Sequence, residues 1–313
     1  MSEALLEHAT QTIAVGSKSF AAAARLFARP TRRSVLMLYA WCRHCDDVVD
    51  GQELGFAQAP QRSHAGPDAR RELATLYELT RRAYAGEAMP DPAFAAFQEV
   101  ALRHRIAPRF ALDHLAGFGM DVEQVHYETI DELLRYCYHV AGVVGLMMAS
   151  IMGVQDARVL DRACDLGIAF QLTNIARDIV EDARAGRVYV PAQWLREAGI
   201  PPAEVAEPRH RSALAGVAAR LVDYAEPYYD SAAQGIIDLP LRCAWAIATA
   251  HKVYRQIGVL VKRRGARAWD QRAGTSKAAK LGFLALGGGQ ALASRLRTPR
   301  SRPAGLWRRP ADA

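Results

Sequence analysis

A chain of 313 residues, 50% hydrophobic and 23% charged, holds enough apolar side chains for one large core. That composition excludes a disordered chain, and 23 Gly and 15 Pro exclude a collagen-like or linker protein. The net charge of +7 is unevenly placed: from Lys262 onward 13 Lys or Arg face two acids, Asp270 and Asp312, which leaves −4 on the first 261 residues. The positive charge belongs to the C-terminal end, mixed with Pro and Ser from Arg295 to Arg309, and no basic face interleaved with aromatics points to nucleic acid.

Met1-Ser2-Glu3 opens the chain without a basic-then-apolar signal, and five cysteines (42, 45, 137, 164, 243) cannot all pair, so a reducing cytoplasm is expected. Apolar residues recur at helical spacing over 3–27, 31–50, 68–86, 91–104, 109–119, 129–153, 157–183, 210–235 and 240–263. Breaks fall at Arg29-Pro30-Thr31, Gly66-Pro67, Met89-Pro90-Asp91-Pro92, Gly199-Ile200-Pro201-Pro202 and Leu239-Pro240. Thr129 with Glu132 three residues on forms a capping box. The longest apolar run, Val140 to Gly153, is 14 residues, short of the ~18 needed to span a bilayer, and predicts a buried helix. With no repeat and no βαβ pattern, the expectation is one all-α domain over 1–265 and a basic, partly flexible tail over 266–313. Within that tail, 279–296 predicts a weakly amphipathic surface helix. Its basic surroundings suit peripheral association with an anionic membrane, at ~1 kcal/mol per basic residue.

Two helices carry charge in an ordered way. Tyr39, Arg43, Asp46 and Asp50 fall within an arc of about 60° at 100° per residue, with Asp47 beside them, on a helix otherwise made of residues such as Leu36, Leu38, Trp41 and Val49. Gln171, Asn174, Asp178 and Asp182 fall within about 80°, bordered by Arg177 and Glu181, on a helix with Ile168, Phe170, Leu172 and Ile175. Carboxylates one turn apart repel, and a row of them on so apolar a helix must face water, a cavity or a cation. Oxygen ligands of this kind suit Mg²⁺, which typically uses one or two carboxylates plus substrate phosphate oxygens. If the two rows face each other, Asp46, Asp50, Asp178 and Asp182 hold the metal, and Arg43 and Arg177 offer planar donors to a diphosphate.

Other signals carry less. Cys42-Arg43-His44-Cys45 has C-x-x-C spacing but lies mid-helix without a second pair, and reads as core cysteines rather than a zinc site. No histidine pair has ligand spacing, and Gly287-Gly288-Gly289 lacks the Lys-Ser/Thr of a phosphate loop.

These residues resemble the head-to-head prenyl transferases, the squalene/phytoene synthase family, over most of 1–265. Ser17-Lys18-Ser19-Phe20 is similar to the family's N-terminal substrate segment. Tyr39-Ala40-Trp41-Cys42-Arg43 leading to Asp46-Asp47-Val48-Val49-Asp50 is similar to its first aspartate-rich motif. Tyr136 to Gly145 resembles one signature, and Gly167 through Asp182 to Arg187-Val188-Tyr189-Val190-Pro191 resembles the second. The resemblance implies an isoprenoid-synthase-type helical bundle around a central apolar cavity. It implies condensation of two geranylgeranyl diphosphates, through a cyclopropyl diphosphate, to phytoene, the first committed step of carotenoid biosynthesis. Mg²⁺ or Mn²⁺ is implied as cofactor, no NADPH is expected, and ATP dependence is left open.

The roles implied are metal binding for Asp46, Asp50, Asn174, Asp178 and Asp182, and catalysis by these four aspartates with Arg43 and Arg177. Substrate binding falls to Ser17, Lys18, Ser19, Phe20, Tyr39, Arg43, Gln171, Asn174, Arg177 and Tyr254. Ring faces at Phe20, Tyr39 and Tyr254 would lie near the cations, Gly142 and Gly145 would thin a helix against a polyene, and Arg187 and Tyr189 suggest a flap over the mouth. The alternatives are a dehydrosqualene or squalene synthase using farnesyl diphosphate, a helical terpene cyclase, and a non-catalytic scaffold homologue.

Overall fold

The structure is a computed structural model that describes residues 5–7, 9–12, 23–50, 52–53, 56–57 and 67–310, without the side chains of Asp50 and of 52–57. Its main helices are α1 (Arg29–Asp50), α2 (Pro67–Tyr84), α3 (Pro92–Arg103), α4 (Pro108–Val122), α5 (Ile130–Cys137), α6 (Val143–Ile151), α7 (Ala157–Arg184), α8 (Ala192–Glu197), α9 (Arg211–Gln234), α10 (Leu241–Arg264) and α11 (Lys277–Ser294). A π turn over Tyr138–Gly142 joins α5 to α6. The β structure among the described residues is two paired strands of two residues each, β1 (Gln52–Glu53) and β2 (Phe56–Ala57), antiparallel with Glu53 opposite Phe56. The all-α bundle expected from the periodicity is therefore the fold found.

Helix starts use the expected chemistry. Asp91 accepts from the N–H groups of Ala93 (2.8 Å) and Phe94 (3.1 Å), with Pro92 in the first turn where its missing donor costs nothing. Thr129 and Glu132 form the reciprocal capping box that opens α5. The continuous stretch Ile130–Ile151 is long and apolar enough to cross a membrane by length and composition, yet more than half of its most apolar window is buried in the protein. It packs between α4 and α7, as a core helix does.

The 28-residue α7 is the spine, packed on α6, α9 and α10. Its approach to α6 is backbone to backbone. A Cβ at Gly145 would lie 2.3 Å from the Ala163 carbonyl oxygen, and one at Gly167 would lie 2.2 Å from that of Ala141. The expectation that Gly142 and Gly145 thin a helix is met, with helix packing as the cause: Gly142 faces the Cys164 thiol and Gly145 the α7 backbone.

The expected division at residue 265, with a partly flexible tail beyond it, is corrected. Residues 265–276 cross the end of α7, where Trp269 donates to the Ala176 carbonyl. Helix α11 lies along α10. Residues 300–309 are pinned to the N-terminal half of α7: Arg302 is bidentate on Asp165 (2.7 and 2.9 Å), and Arg309 holds Asp161 at 2.7 Å. Composition alone sees arginines among Pro and Ser. It does not see that their carboxylate partners lie some 140 residues earlier.

The glycine contact sets a measurable limit. Gly167→Ala forces the α6–α7 crossing open and is expected to cost about 1–3 kcal/mol, read as a lower midpoint of denaturant unfolding. Gly216→Ala on α9, where an added Cβ meets nothing within 4 Å, is expected to hold or raise that midpoint.

Candidate active site

A cavity of about 320 Å³ runs along one face of α7. The helix contributes Val159, Arg162, Ala163, Leu166, Gly167, Phe170, Gln171 and Asn174, steps of three and one that hold a single stripe over ~22 Å. The α5–α6 stretch, α9 and α10 complete the wall with residues such as Val144, Met148, Ile236 and Ile247. Polar atoms enter it from Tyr39 on α1, Tyr254 on α10, and Arg162, Gln171 and Asn174 on α7. Tyr39 from the first charged stripe and Gln171 and Asn174 from the second thus line one cavity.

Beyond Tyr39 on α1 comes Arg43, whose guanidinium bridges Asp46 (2.9 Å) and Asp47 (2.6 Å). Asp47, flanking the stripe in sequence, is the better buried of the two, with its side chain 12% exposed against 36% for Asp46. Burial lifts the Tyr39 hydroxyl to about 12 against the opposing pull of Arg43. The phenol therefore stays protonated, a ring and donor facing the cavity.

The second row begins with Asn174, whose Oδ1 is buried and has no hydrogen-bond donor. One turn on, Asp178 is clamped by two guanidinium groups, Arg177 at 2.5 and 2.8 Å and Arg272 at 2.9 and 3.1 Å. Burial pushes its carboxyl up, but those hydrogen bonds outweigh it and hold the group below the usual range. Asp182, a turn further, is raised to about 7 by burial and by the neighbouring Asp178 charge, against the pull of Arg187. It lines a small recess with Arg187, Val188 and Tyr189 instead of the main cavity wall. Tyr254 stacks on Phe170 with centroids 4.1 Å apart. Burial raises its hydroxyl, and Arg177 and Arg272 pull it back.

The expected flap residues are tied down. Tyr189 donates to Asp121 Oδ1 (3.0 Å) and stacks on Tyr136, which donates to Asp121 Oδ2 (3.0 Å). Tyr138 donates to Asp113 (2.7 Å) in the same way. The tyrosines of the first signature therefore anchor α5 and the π turn to α4.

Of the expected site residues, Tyr39, Gln171, Asn174 and Tyr254 line the cavity, and Arg43, Asp46, Arg177 and Asp178 continue the same stripes by one or two turns. Ser17, Lys18, Ser19, Phe20 and the Asp50 side chain lie outside the described residues. Among the described residues no three acidic, His or Cys side chains converge as a ready-made metal site. Arginines stand against the carboxylates instead. Arg272 and Phe170 were not singled out by sequence: Arg272 lies 94 residues from its partner, and Phe170 reads as core at its spacing. All five cysteines are free, Cys45 buried and Cys42 half-buried, as their place in the helix implied.

Comparison with known proteins gives this geometry its context. The family model of squalene/phytoene synthase matches residues 13–279. The chain is 62% identical to the 15-cis-phytoene synthase of Pantoea ananas and 61% identical to a phytoene synthase of Pseudescherichia vulneris, each over 98% of both chains. Among solved structures, a dehydrosqualene synthase in complex with ligand superposes with a TM-score of 0.82 at 25% identity, covering 93% of this chain and 98% of that one. A squalene synthase from Alicyclobacillus acidocaldarius superposes at 0.73, also at 25% identity, over 84% and 95% of the two chains. By sequence and by fold, the chain belongs to the squalene/phytoene synthase family.

Proposed function

We propose that this chain condenses two molecules of geranylgeranyl diphosphate head to head to form phytoene, with release of diphosphate. The observation that carries the reading is identity above 60% over nearly the whole chain to enzymes named for that product. The geometry supports it: an apolar cavity lined by Tyr39, Gln171, Asn174 and Tyr254 lies beside helix stretches that carry, one to two turns further on, Arg43 with Asp46 and Arg177 with Asp178. A non-catalytic scaffold would have no need of Asp46, Asp178, Asp182, Arg43 and Arg177 together, and all five are present. Nothing at the cavity favours farnesyl diphosphate or a terpene cyclase instead.

The donor set fits a divalent cation. Asn174 Oδ1 is a buried oxygen without a donor, and the Asp182 carboxyl is raised to about 7 by burial and by the Asp178 charge beside it; a cation would relieve both conditions. Asp46, Asp50, Asn174, Asp178 and Asp182 would hold Mg²⁺, with Mn²⁺ as a substitute, and the bound metal would draw charge off the departing diphosphate. Arg177, Arg272 and Arg43 carry the forked donors that orient a diphosphate, and Ser17, Lys18 and Ser19 are assigned to the same anion. In this reading Asp178 exchanges part of its arginine clamp for metal, which frees guanidinium donors for substrate oxygens. Tyr39, Phe170 and Tyr254 set ring faces near the allylic cation, and the apolar wall excludes the water that would quench it. Proton loss completes the reaction, so the carbon skeleton needs no reductant and no NADPH is assigned.

We place the chain in the cytoplasm at a lipid surface. Leu281, Leu286, Leu292 and Leu296 on and beside α11 are 59–90% exposed, with Lys277, Lys280 and Arg297 around them. Both the substrate tails and the product favour such a surface.

Incubation with geranylgeranyl diphosphate and Mg²⁺ is expected to yield phytoene without NADPH, and exclusive turnover of farnesyl diphosphate would overturn the assignment. Asp50→Ala and Asp182→Ala are each expected to lower turnover by about 10³-fold or more with helical circular dichroism retained. The Asp182 shift also sets a stability profile. An acid raised from 3.8 to about 7 binds its proton more tightly folded than unfolded, so that contribution is present at low pH and lost as pH climbs through about 7. The metal-free chain should melt a few degrees lower at about pH 8 than at about pH 5, Asp182→Asn should flatten that slope, and Mg²⁺ should restore the melt of the wild type at the higher pH. For the lipid surface, Leu281→Glu with Leu292→Glu is expected to abolish co-sedimentation with anionic vesicles while leaving the melting temperature within a few degrees.

A further inference from the structure

Away from the acids, the cavity wall includes an arginine. Arg162 lines an otherwise apolar stretch of wall, is 8% exposed, and precedes Asp178 on α7 by 16 residues, or ~24 Å. Its stem lies against Gly235, where an added Cβ would come within 3.0 Å of Arg162 Cβ and Cδ. Its guanidinium donates to the Ser231 carbonyl (2.9 Å) and to the Arg300 carbonyl. A guanidinium buried in the wall of a hydrocarbon slot is costly unless its donors are met. Here one of the two carbonyls that meet them belongs to the last residues of the chain.

That last segment is held from several sides. Arg302 binds the fully buried Asp165, which also accepts from Ser231 Oγ at 2.6 Å. The Trp307 ring packs on Tyr138 with centroids 5.3 Å apart, and its backbone N–H donates to the Tyr228 hydroxyl at 3.1 Å. Resting on the condensation reading above, we propose that residues 300–307 form a strap that fixes the Arg162 stem as the floor of the cavity, so that Arg162 sets the longest prenyl chain the site accepts. Arg162 touches the chain end, and the strap residues position it. A longer chain can enter only by displacing the stem and breaking both carbonyl bonds. Methylene-scale differences in a closed apolar slot are worth roughly 10–200-fold in kcat/KM.

The test compares kcat/KM for farnesyl, geranylgeranyl and geranylfarnesyl diphosphates in three substituted chains, by diphosphate release. Arg162→Ala removes the floor and Trp307→Ala loosens the strap from outside the cavity wall. Each is expected to raise the geranylfarnesyl-to-geranylgeranyl ratio roughly tenfold. Gly235→Ala pushes the stem inward and is expected to shift preference toward farnesyl diphosphate by a similar factor. It keeps the test decisive if either of the other chains fails to fold. A purely structural role for the strap would lower all three rates together and leave the ratios alone. Ratios within about twofold of the wild type in the folded variants overturn the strap and floor. A wild type that makes nothing from geranylgeranyl diphosphate overturns the condensation reading instead.

Discussion

Two carboxylates one helical turn apart, sunk at the end of an apolar helix, are a charge the fold must neutralise, and the rest of the site follows from how it does so. Asp178 is shared between Arg177, its neighbour in sequence, and Arg272, delivered by the segment beyond α10. Among the described residues no guanidinium pair clamps Asp182, whose carboxyl is raised to about 7 by burial and by the Asp178 charge. In the first row Arg43 bridges both Asp46 and Asp47. The resting site is thus a set of acids stapled by arginines. In the proposed reading a divalent cation and a diphosphate arriving together would satisfy both halves of those pairs at once, since the cation would take carboxylate oxygens and the anion guanidinium donors. Neither alone would do so, and binding of the two would therefore be coupled by the charge arrangement itself.

The hydrocarbon end depends on a different constraint, the closeness of two backbones. Gly145 and Gly167 let α6 and α7 touch through Ala163 and Ala141, and both glycines also line the cavity. The glycines leave no room between the two helices at this crossing, and the cavity runs beside the contact that they make. One helix, α7, carries the whole gradient from Val159 at the greasy end to Asp182 at the charged end. A cation formed near Tyr39, Phe170 and Tyr254 would have aromatic faces beside it, and low dielectric would strengthen each charge interaction there.

Much of this is legible in sequence because it is periodic. Apart from the expected helix over 3–27, most of which lies outside the described residues, the expected helices fall within a few residues of those found, and the stripes of Tyr39–Asp50 and Gln171–Asp182 are local facts of helical geometry. What sequence hides is pairing across distance. Arg272 on Asp178, Arg302 on Asp165 and Tyr189 on Asp121 each join residues tens to more than a hundred positions apart, and no spacing rule connects them. Arg162 is hidden for another reason: a lone arginine on an apolar helix face reads as a solvated side chain until its two carbonyl partners are known. The N-terminal segment Ser17–Phe20 and the Asp50 side chain, legible only by resemblance, lie outside the described residues.

The basic C-terminal end is where composition and structure part most clearly, and its charge serves two separate purposes. Arg272, Arg295, Arg302 and Arg309 are turned inward, spent on Asp178, on the carbonyls of Ile237 and Leu239, on Asp165 and on Asp161. Lys277, Lys280 and Arg297 carry their charge on the α11 side of the molecule, beside leucines that the fold leaves uncovered. The inward group answers the acids of a body whose own net charge is negative, so it is part of the architecture and is insensitive to what surrounds the protein. Among the described residues the outward group has no such carboxylate partner, and it responds to ionic strength and to any anionic surface nearby. A single count of positive charge conceals that division, because what separates the two groups is the burial of their partners.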